Sequence, residues 1–391
     1  MHLARPSIAL SCSLLALFFT MWILVPAPLT VIWLVSVISS EWSLFFGLLA
    51  LIGIVLGWLA NRKQRSRAGT FAAACGMLAM VFMSYPLVTS LSVADNNDVS
   101  LSLKRYVLGS AYEKAAIQSY SYTATATDTF FLDAYQPNDV SSHVPKPAIV
   151  VIHGGGWSSG TRSDFPRWNH WLVESGYVVF DIDYQLAPQP NWQAATANVQ
   201  DAVKWIKAHA DSFNVNPNSI ALMGRSAGAH LALLAGYTAR PEAPYDARVA
   251  AIVGFYGPTD LRWGYENPAN RRVIDGKATL RSFTGGTPNY IPEIYQQASP
   301  IHQIRSDAPA TFLVHGRQDQ LVRSQHTAKL YRRLQLRSRE PATHQALFLP
   351  YAQHGFDYNF NGWGSQITQA LLTTHLQQAL TPRVSRAAPA P

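Results

Sequence analysis

The chain is 391 residues long, 48% hydrophobic and only 14% charged, with a formal net charge of +8. Soluble proteins carry about 25% charged residues, so this composition excludes a disordered chain and implies a lipid-embedded part beside one large domain. Nucleic-acid binding is excluded as well: five basic residues and one acid before residue 95 hold +4 of the +8, and the rest of the chain shows no basic stripe interleaved with aromatics.

In chain order, the first apolar stretch runs from Ile8 to about Ile38 and carries Pro26 and Pro28. It reads as one kinked membrane span. Residues 42–60 contain no charge, and at 1.5 Å per residue they fill a hydrocarbon core of ~30 Å. A third uncharged run covers Thr70 to Val93, with Pro86 near its end, where a transmembrane helix tolerates it. Between the last two runs stand Arg62, Lys63, Arg65 and Arg67, which should hold that loop in the cytoplasm. The expectation is a membrane region over residues 1–94 with three spans, in a bacterium an inner-membrane protein whose large domain is extracytoplasmic. Cys12 and Cys75 both lie inside the apolar runs, so no disulfide framework or cysteine metal site is available.

A polar break at Asp95–Asp98 opens a linker over residues 95–119, whose segment 99–118 mixes apolar and charged positions and reads as an amphipathic helix. From Tyr120 to Gln136 the alternating texture predicts strands. Short apolar runs then recur at Ala148–Ile152, Tyr177–Ile182, Ile220–Met223, Ala250–Phe255, Thr311–Val314 and Ala346–Leu349, separated by helix-length segments such as Trp192–Ala210 and Ala227–Tyr237. Continuous apolar strands between helices are what a parallel sheet covered on both faces requires. The fold class is therefore α/β, a mostly parallel doubly wound sheet over residues 120–381, followed by an Ala/Pro-rich tail, 382–391, that reads as disordered.

The sharpest chemical signal is Gly224-Arg225-Ser226-Ala227-Gly228, directly after one strand and directly before an Ala/Leu-rich helix. A serine on a strained strand-to-helix turn needs small residues two positions to either side, because the backbone there approaches its neighbours too closely for side chains. Earlier, His153-Gly154-Gly155-Gly156-Trp157 closes another strand, and consecutive glycines let N–H groups face a site where they can stabilise an oxyanion. A serine nucleophile needs a base and the base an orienting acid. His354 and Asp319 each follow a strand, and the chain order Ser226, Asp319, His354 is that of this kind of site. Asp260 is a rival acid; His326 and His344 are rival bases but read as surface histidines, and His153 and His315 as braces of their loops. The 12 histidines show no metal-ligand spacing, and no cofactor is expected.

These stretches resemble the α/β-hydrolase superfamily, and within it the carboxylesterases of the hormone-sensitive-lipase and bacterial feruloyl-esterase-like groups. The resemblance is carried by HGGGW at 153–157, DYQLAP at 183–188, GRSAGAHLAL at 224–233, YGPTDL at 256–261 and the Asp319 and His354 loops, and extends from about residue 120 to 380. It implies an oxyanion hole from the amides of Gly155, Gly156 and Ala227. The lipase group usually has Asp before the serine and two glycines after the Ala, whereas Arg225 precedes here and Gly228-Ala229-His230 follows, which shifts the weight toward the feruloyl-esterase-like and formamidase-like members. The reading is a membrane-anchored serine carboxylesterase acting on a small-molecule, lipid or glycan ester. Its rivals are an amidase or formamidase with the same triad and a catalytically silent, membrane-tethered binding module. Residues 262–300, with Trp263, Tyr265, Phe283, Tyr290 and Tyr295, are expected to cover the site.

Overall fold

The structure, a computed structural model, describes residues 4–63, 66–137, 144–187 and 191–381. The tail expected to be disordered, and Arg65 of the basic loop, lie outside the described residues.

Among the described residues four helices precede residue 96: α1 (Ala4–Met21), α2 (Thr30–Glu41), α3 (Ser43–Lys63) and α4 (Arg67–Asp95). Two of them are long and apolar enough to cross a membrane, over Ser43–Arg62 and Arg67–Asp95. Helices α1, α3 and α4 pack together through small residues. Side chains at Gly53, Gly57 or Gly76 would collide with Ser13, the Gly69 carbonyl or Ile54 respectively, and Ala16, Ala50 and Ala79 fill the centre. Small residues of this kind let apolar helices approach closely.

The single kinked span expected over Ile8–Ile38 is corrected to two helices. The chain leaves α1 after Met21 and turns through Pro26 and Pro28 before α2 begins at Thr30. Proline removes a helical donor and pushes the preceding residue toward extended backbone, so two prolines one residue apart separate the helices instead of bending one. At 12 residues, α2 falls short of the ~20 needed to span a bilayer. The amphipathic helix expected over 99–118 shrinks to α5 (Leu103–Leu108). Gly109 ends it at φ +75°, ψ −174°, a conformation essentially restricted to glycine, and an extended strand begins at Ala116.

Among the described residues eight strands follow: β1 (Ala116–Ala124), β2 (Thr129–Gln136), β3 (Lys146–Ile152), β4 (Val178–Ile182), β5 (Val215–Arg225), β6 (Ala251–Phe255), β7 (Ala310–Gly316) and β8 (Gln345–Leu349). They form one sheet in the order β1-β2-β4-β3-β5-β6-β7-β8, antiparallel at β1 and β2 and parallel from β4 onward. Helices α6 (Pro166–Glu174), α7 (Trp192–Ala208) and α8 (Ala227–Thr238) alternate with the strands. The short helices α9 (Leu261–Glu266), α10 (Gly276–Thr284), α11 (Pro292–Gln297) and α12 (Pro300–Gln303) lie between β6 and β7, and α13 (Gln325–Arg337) and α14 (Trp363–Leu380) complete the chain.

Alternation along the strands feeds two cores, one on each face. Val150, Leu222 and Ile252 join Val199, Leu231 and Leu330 on one side; Ile149, Ala221 and Val253 join Leu172, Ile367 and Leu372 on the other. Helix α4 packs on α14 and β8, and the Tyr85 hydroxyl donates to the Pro350 carbonyl at 3.4 Å. Strand order reverses between β3 and β5, and in open α/β sheets the crevice at the carboxyl ends of such strands is where ligands bind. Register sets Ile152 beside Gly224 there, so the loops after β3 and β5 start side by side.

Candidate active site

Ser226 sits between β5 and α8 at φ +54°, ψ −117°, a conformation costly for any residue with a Cβ. Its surroundings enforce it. The Ser226 amide donates to the Phe255 carbonyl at 2.9 Å, and a Cβ on Gly224 would overlap the Gly228 carbonyl, while one on Gly228 would overlap the carbonyls of Ile152 and His153. Both glycines of the motif are thus required by backbone crowding, as the sequence implied.

The Ser226 hydroxyl lies 2.9 Å from Nε2 of His354, and Nδ1 of His354 lies 2.7 Å from Oδ2 of Asp319. Because Nδ1 faces a carboxylate it carries the proton, and Nε2 presents its lone pair to the serine. The Asp319 carboxylate is fully engaged: Oδ1 accepts from the Leu321 and Val322 amides at 2.8 and 2.9 Å, and Oδ2 also accepts from Nε2 of His315 at 3.1 Å. Burial works to raise the Asp319 pKa, but His354 and the hydrogen bonds from His315 and His354 outweigh it and hold the group well below the usual carboxylate range.

His315 does brace its loop, and the object it holds is the acid itself. Its Nε2 meets two acceptors, Asp319 Oδ2 and the Val322 carbonyl, and Nδ1 accepts from the Thr327 hydroxyl at 2.8 Å. His153 stacks on Tyr184 with ring centroids 4.3 Å apart, and the Tyr184 hydroxyl ties down the carbonyls of His153 and Gly154.

The rival residues are engaged elsewhere. Asp260 pairs with Lys329 at 2.7 Å and caps α9 through the Trp263 amide. His326 and His344 are buried, which corrects the expectation of surface histidines. His326 accepts from the Thr259 and Asp260 amides, and burial drives its pKa down to about 3. For His326, these hydrogen bonds, which hydropathy does not register, are what let the side chain go inside; both ring nitrogens of the buried His344 lack a partner among the described residues.

Gly155 and Gly156 adopt φ +103° and +60°, and the turn is closed by the Ser158 and Ser159 amides donating to the Gly155 carbonyl at 3.1 Å each. The amides of Gly155, Gly156 and Ala227 have no hydrogen-bond partner among the described residues, and all three residues border the same cavity as Ser226 and His354. Ala227 is the first residue of α8, where helical N–H groups lack internal acceptors and the dipole favours negative charge.

The cavity measures about 580 Å³ and is lined by Ile274, Leu280, Leu321 and Tyr358 around the serine, and by Trp33 of α2. The segment 262–300 does cover it, though through Ile274, Thr279 and Leu280 instead of the aromatics singled out. Phe283 and Tyr295 are fully buried core residues, and Tyr290 is 88% exposed.

Two features were missed. Arg225 is buried and paired with Asp357 at 2.5 Å, its guanidinium 4.1 Å from the Phe165 ring centre and 5.0 Å from that of Phe255. The Tyr256 hydroxyl donates to the same carboxylate at 2.5 Å. A basic residue at the end of a buried strand demands a buried acid, and Asp357 lies three residues beyond His354, so the signal was available. The place of Trp33 in the cavity wall was not, because the first 94 residues read as membrane segments with no tie to the later domain.

The BD-FAE family model matches residues 132–334, slightly more than half of the chain. Esterase LipC of Mycobacterium tuberculosis is 33% identical over 236 residues, 58% of this chain and 57% of that protein. The probable carboxylic ester hydrolase LipM of the same organism is 31% identical over 238 residues, 58% of this chain and 53% of its own length. The chain thus spans about half the length of these curated relatives. Among solved structures, the esterase Est2 of Thermogutta terrifontis superposes with a TM-score of 0.53 at 24% identity, covering 69% of this chain and 95% of that one. A truncated carbohydrate esterase from gut microbiota gives a TM-score of 0.56 at 20% identity over 68% of this chain and 99% of its own. Sheet order, the strained serine turn and the family match together assign the chain to the BD-FAE family of α/β-hydrolase-fold proteins.

Proposed function

We propose that this protein is a serine carboxylesterase anchored in a membrane by its amino-terminal helices, with the large domain on the extracytoplasmic side. The observation that carries the reading is the unbroken hydrogen-bonded line from Ser226 through His354 to Asp319, beside three amides with no partner among the described residues. In this mechanism His354 Nε2 takes the Ser226 proton as Oγ attacks the ester carbonyl. Asp319 holds the ring in the required tautomer and stabilises the imidazolium. The oxyanion is received by the amides of Gly155, Gly156 and Ala227. His354 then returns the proton to the departing alcohol, and a water activated by the same ring releases the acid from the acyl-enzyme. No cofactor enters these steps.

Anchoring is supported by the outward faces of α3 and α4, where Leu48, Val55, Trp58, Phe71, Val81 and Val88 are each between 44 and 64% exposed. Isolated exposed apolar residues are ordinary on a soluble protein, but continuous faces of them are not. The test is fluorophosphonate labelling of the full chain with p-nitrophenyl acetate turnover measured in parallel. Labelling should vanish in Ser226→Ala and turnover fall to a small residual rate; labelling without ester turnover but with cleavage of a matched amide would make the protein an amidase.

A further inference from the structure

Helix α2 crosses from the amino-terminal helices to the mouth of the cavity and is fastened to the large domain at both ends. Before it, the Ala27 amide donates to Gln320 Oε1 at 2.7 Å and the Ala27 carbonyl accepts from Asn270 Nδ2 at 2.6 Å. At its first residue the Thr30 hydroxyl donates to the Val273 carbonyl at 2.7 Å. At its last residue, the Glu41 carbonyl accepts from the Tyr106 hydroxyl at 2.8 Å and from Asn359 Nδ2 at 3.0 Å. Gln320 adjoins Asp319 in the chain, and Val273 adjoins Ile274 of the cavity wall. The helix is therefore a fixed part of the site's rim.

Its composition is unusual for a rim. Apart from Glu41, which is 1% exposed, α2 carries no charge. Ser36, Val37, Ser39 and Ser40 face inward, whereas Val31, Leu34 and Ile38 are 64, 49 and 46% exposed. Their spacing puts them in one stripe of a helix. Leu24, Val25 and Leu29 before α2, and Phe45 and Leu48 at the start of α3, are exposed too, so the stripe continues into the apolar surface of a helix long enough to cross a bilayer. Contiguous exposed apolar surface of this kind marks a membrane-contact face, and on α2 it has no charge to hold it away from acyl chains. Trp33 of the same helix lines the cavity that holds Ser226.

We propose that the ester this site takes is carried by an amphiphile resident in the bilayer, and that its acyl chain reaches Ser226 across α2, past Trp33. The apolar walls at Ile274, Leu280 and Leu321 receive the chain, and the ester carbonyl comes to rest between the serine and the amides of Gly155, Gly156 and Ala227. This rests on the esterase and anchoring reading above and adds the substrate's physical state and its route.

The test uses the full chain in phosphatidylcholine nanodiscs, with dioleoylglycerol as the bilayer-resident ester and p-nitrophenyl acetate as the water-borne one. Oleate release should follow the mole fraction of dioleoylglycerol in the disc, not its bulk concentration. Trp33→Ala should lower the ratio of dioleoylglycerol to p-nitrophenyl acetate turnover about fivefold or more. The pair Leu34→Gln and Ile38→Gln, at exposed positions outside the cavity lining, should lower it similarly and separates the route from any damage that loss of a tryptophan does to the fold. Hydrolysis of p-nitrophenyl acetate with no oleate release, or a ratio unchanged in both variants, overturns the route while sparing the esterase reading. Absence of p-nitrophenyl acetate turnover in the unmodified chain overturns the esterase reading and this inference with it.

Discussion

Arg225 and Asp357 form a buried ion pair at 2.5 Å, one residue from Ser226 on one side and three from His354 on the other. The pair joins the loops that carry the nucleophile and the base. Tyr256, whose phenol is kept protonated by burial and by the nearby Asp357 charge, donates the second strong hydrogen bond to the carboxylate. Removing one member of a buried pair leaves the other uncompensated, at a cost of about 3–5 kcal/mol. Asp357→Ala should therefore destabilise the large domain by that order and slow ester turnover. Arg225→Met combined with Asp357→Leu should recover much of the stability, because well-packed apolar replacements of a buried pair are often neutral or better. Denaturant titration of the full chain in detergent measures both; equal stability losses in the single and double variants would contradict this account.

The site residues act as a unit, and their separate roles predict an order. Ser226→Ala and His354→Ala should each lower kcat by about 10⁴-fold or more, with a small residual rate from the oxyanion-binding amides. Asp319→Asn should also be severe, since an amide in its place no longer fixes the tautomer of His354. Asp260→Asn should be mild, because Asp260 pairs with Lys329 and does not touch His354. Steady-state kinetics on p-nitrophenyl acetate ranks the four, and an Asp260 variant worse than the Asp319 variant would reassign the acid.

Much of this architecture was legible beforehand because its signals are local. Each parallel strand is a short apolar run bounded by turn residues, and all six apolar runs named after Gln136 coincide with β3 to β8. The serine turn was readable because Gly224 and Gly228 answer to crowding within a few residues of Ser226. What escaped was long in range. The contact from Thr30 to Val273 spans 243 residues, and no periodicity carries that information. The buried state of His326 likewise depends on amides at 259 and 260, not on any property of its own helix.

Two buried acids should impose opposite pH dependences on stability. Asp319 is held below its ordinary pKa, so it contributes stability that is present above its unfolded value and lost as pH falls through the folded one. The melting temperature of Asp319→Asn should therefore lie below that of the unmodified chain at neutral pH, and the gap should narrow below about pH 4. Glu41 is pushed well above the usual carboxylate range, by burial first and by Asp357 second, with a weaker opposing contribution from Tyr351. The folded state then holds a proton that the unfolded state has released, and stability declines as pH rises from the unfolded value through the folded one. Glu41→Gln should leave stability little changed near pH 4 and raise the melting temperature increasingly above that. Differential scanning fluorimetry from about pH 2 to pH 8 reads both trends, and a constant gap for Glu41→Gln would mean that the group titrates alike in both states.

The proposed orientation of the chain rests on the short connection between α3 and α4. Arg62, Lys63, Arg65 and Arg67 gather there, and the sole other basic residue before position 95 is Arg5. Basic residues in short loops are retained on the cytoplasmic side, so α4 should deliver everything after Asp95 to the opposite face. Alkaline phosphatase fused after residue 95 should be active in a bacterial host, and β-galactosidase fused at the same point inactive. Neutralising the four loop residues should leave Arg5 as the remaining anchor and mix the two orientations, so that both fusions show partial activity. The arrangement of α2 adds a constraint that charge counting does not contain. Because α2 joins the outer ends of the bundle to the rim of the cavity through Ala27, Thr30 and Glu41, a chain inserted the wrong way round would carry its large domain to the cytoplasmic face with the cavity still against the bilayer. Protease added to spheroplasts distinguishes the cases: cleavage of the large domain in intact spheroplasts fits the export proposed here. Protection until lysis, together with active β-galactosidase fusions, would put the domain in the cytoplasm and remove the extracytoplasmic substrate from the reading.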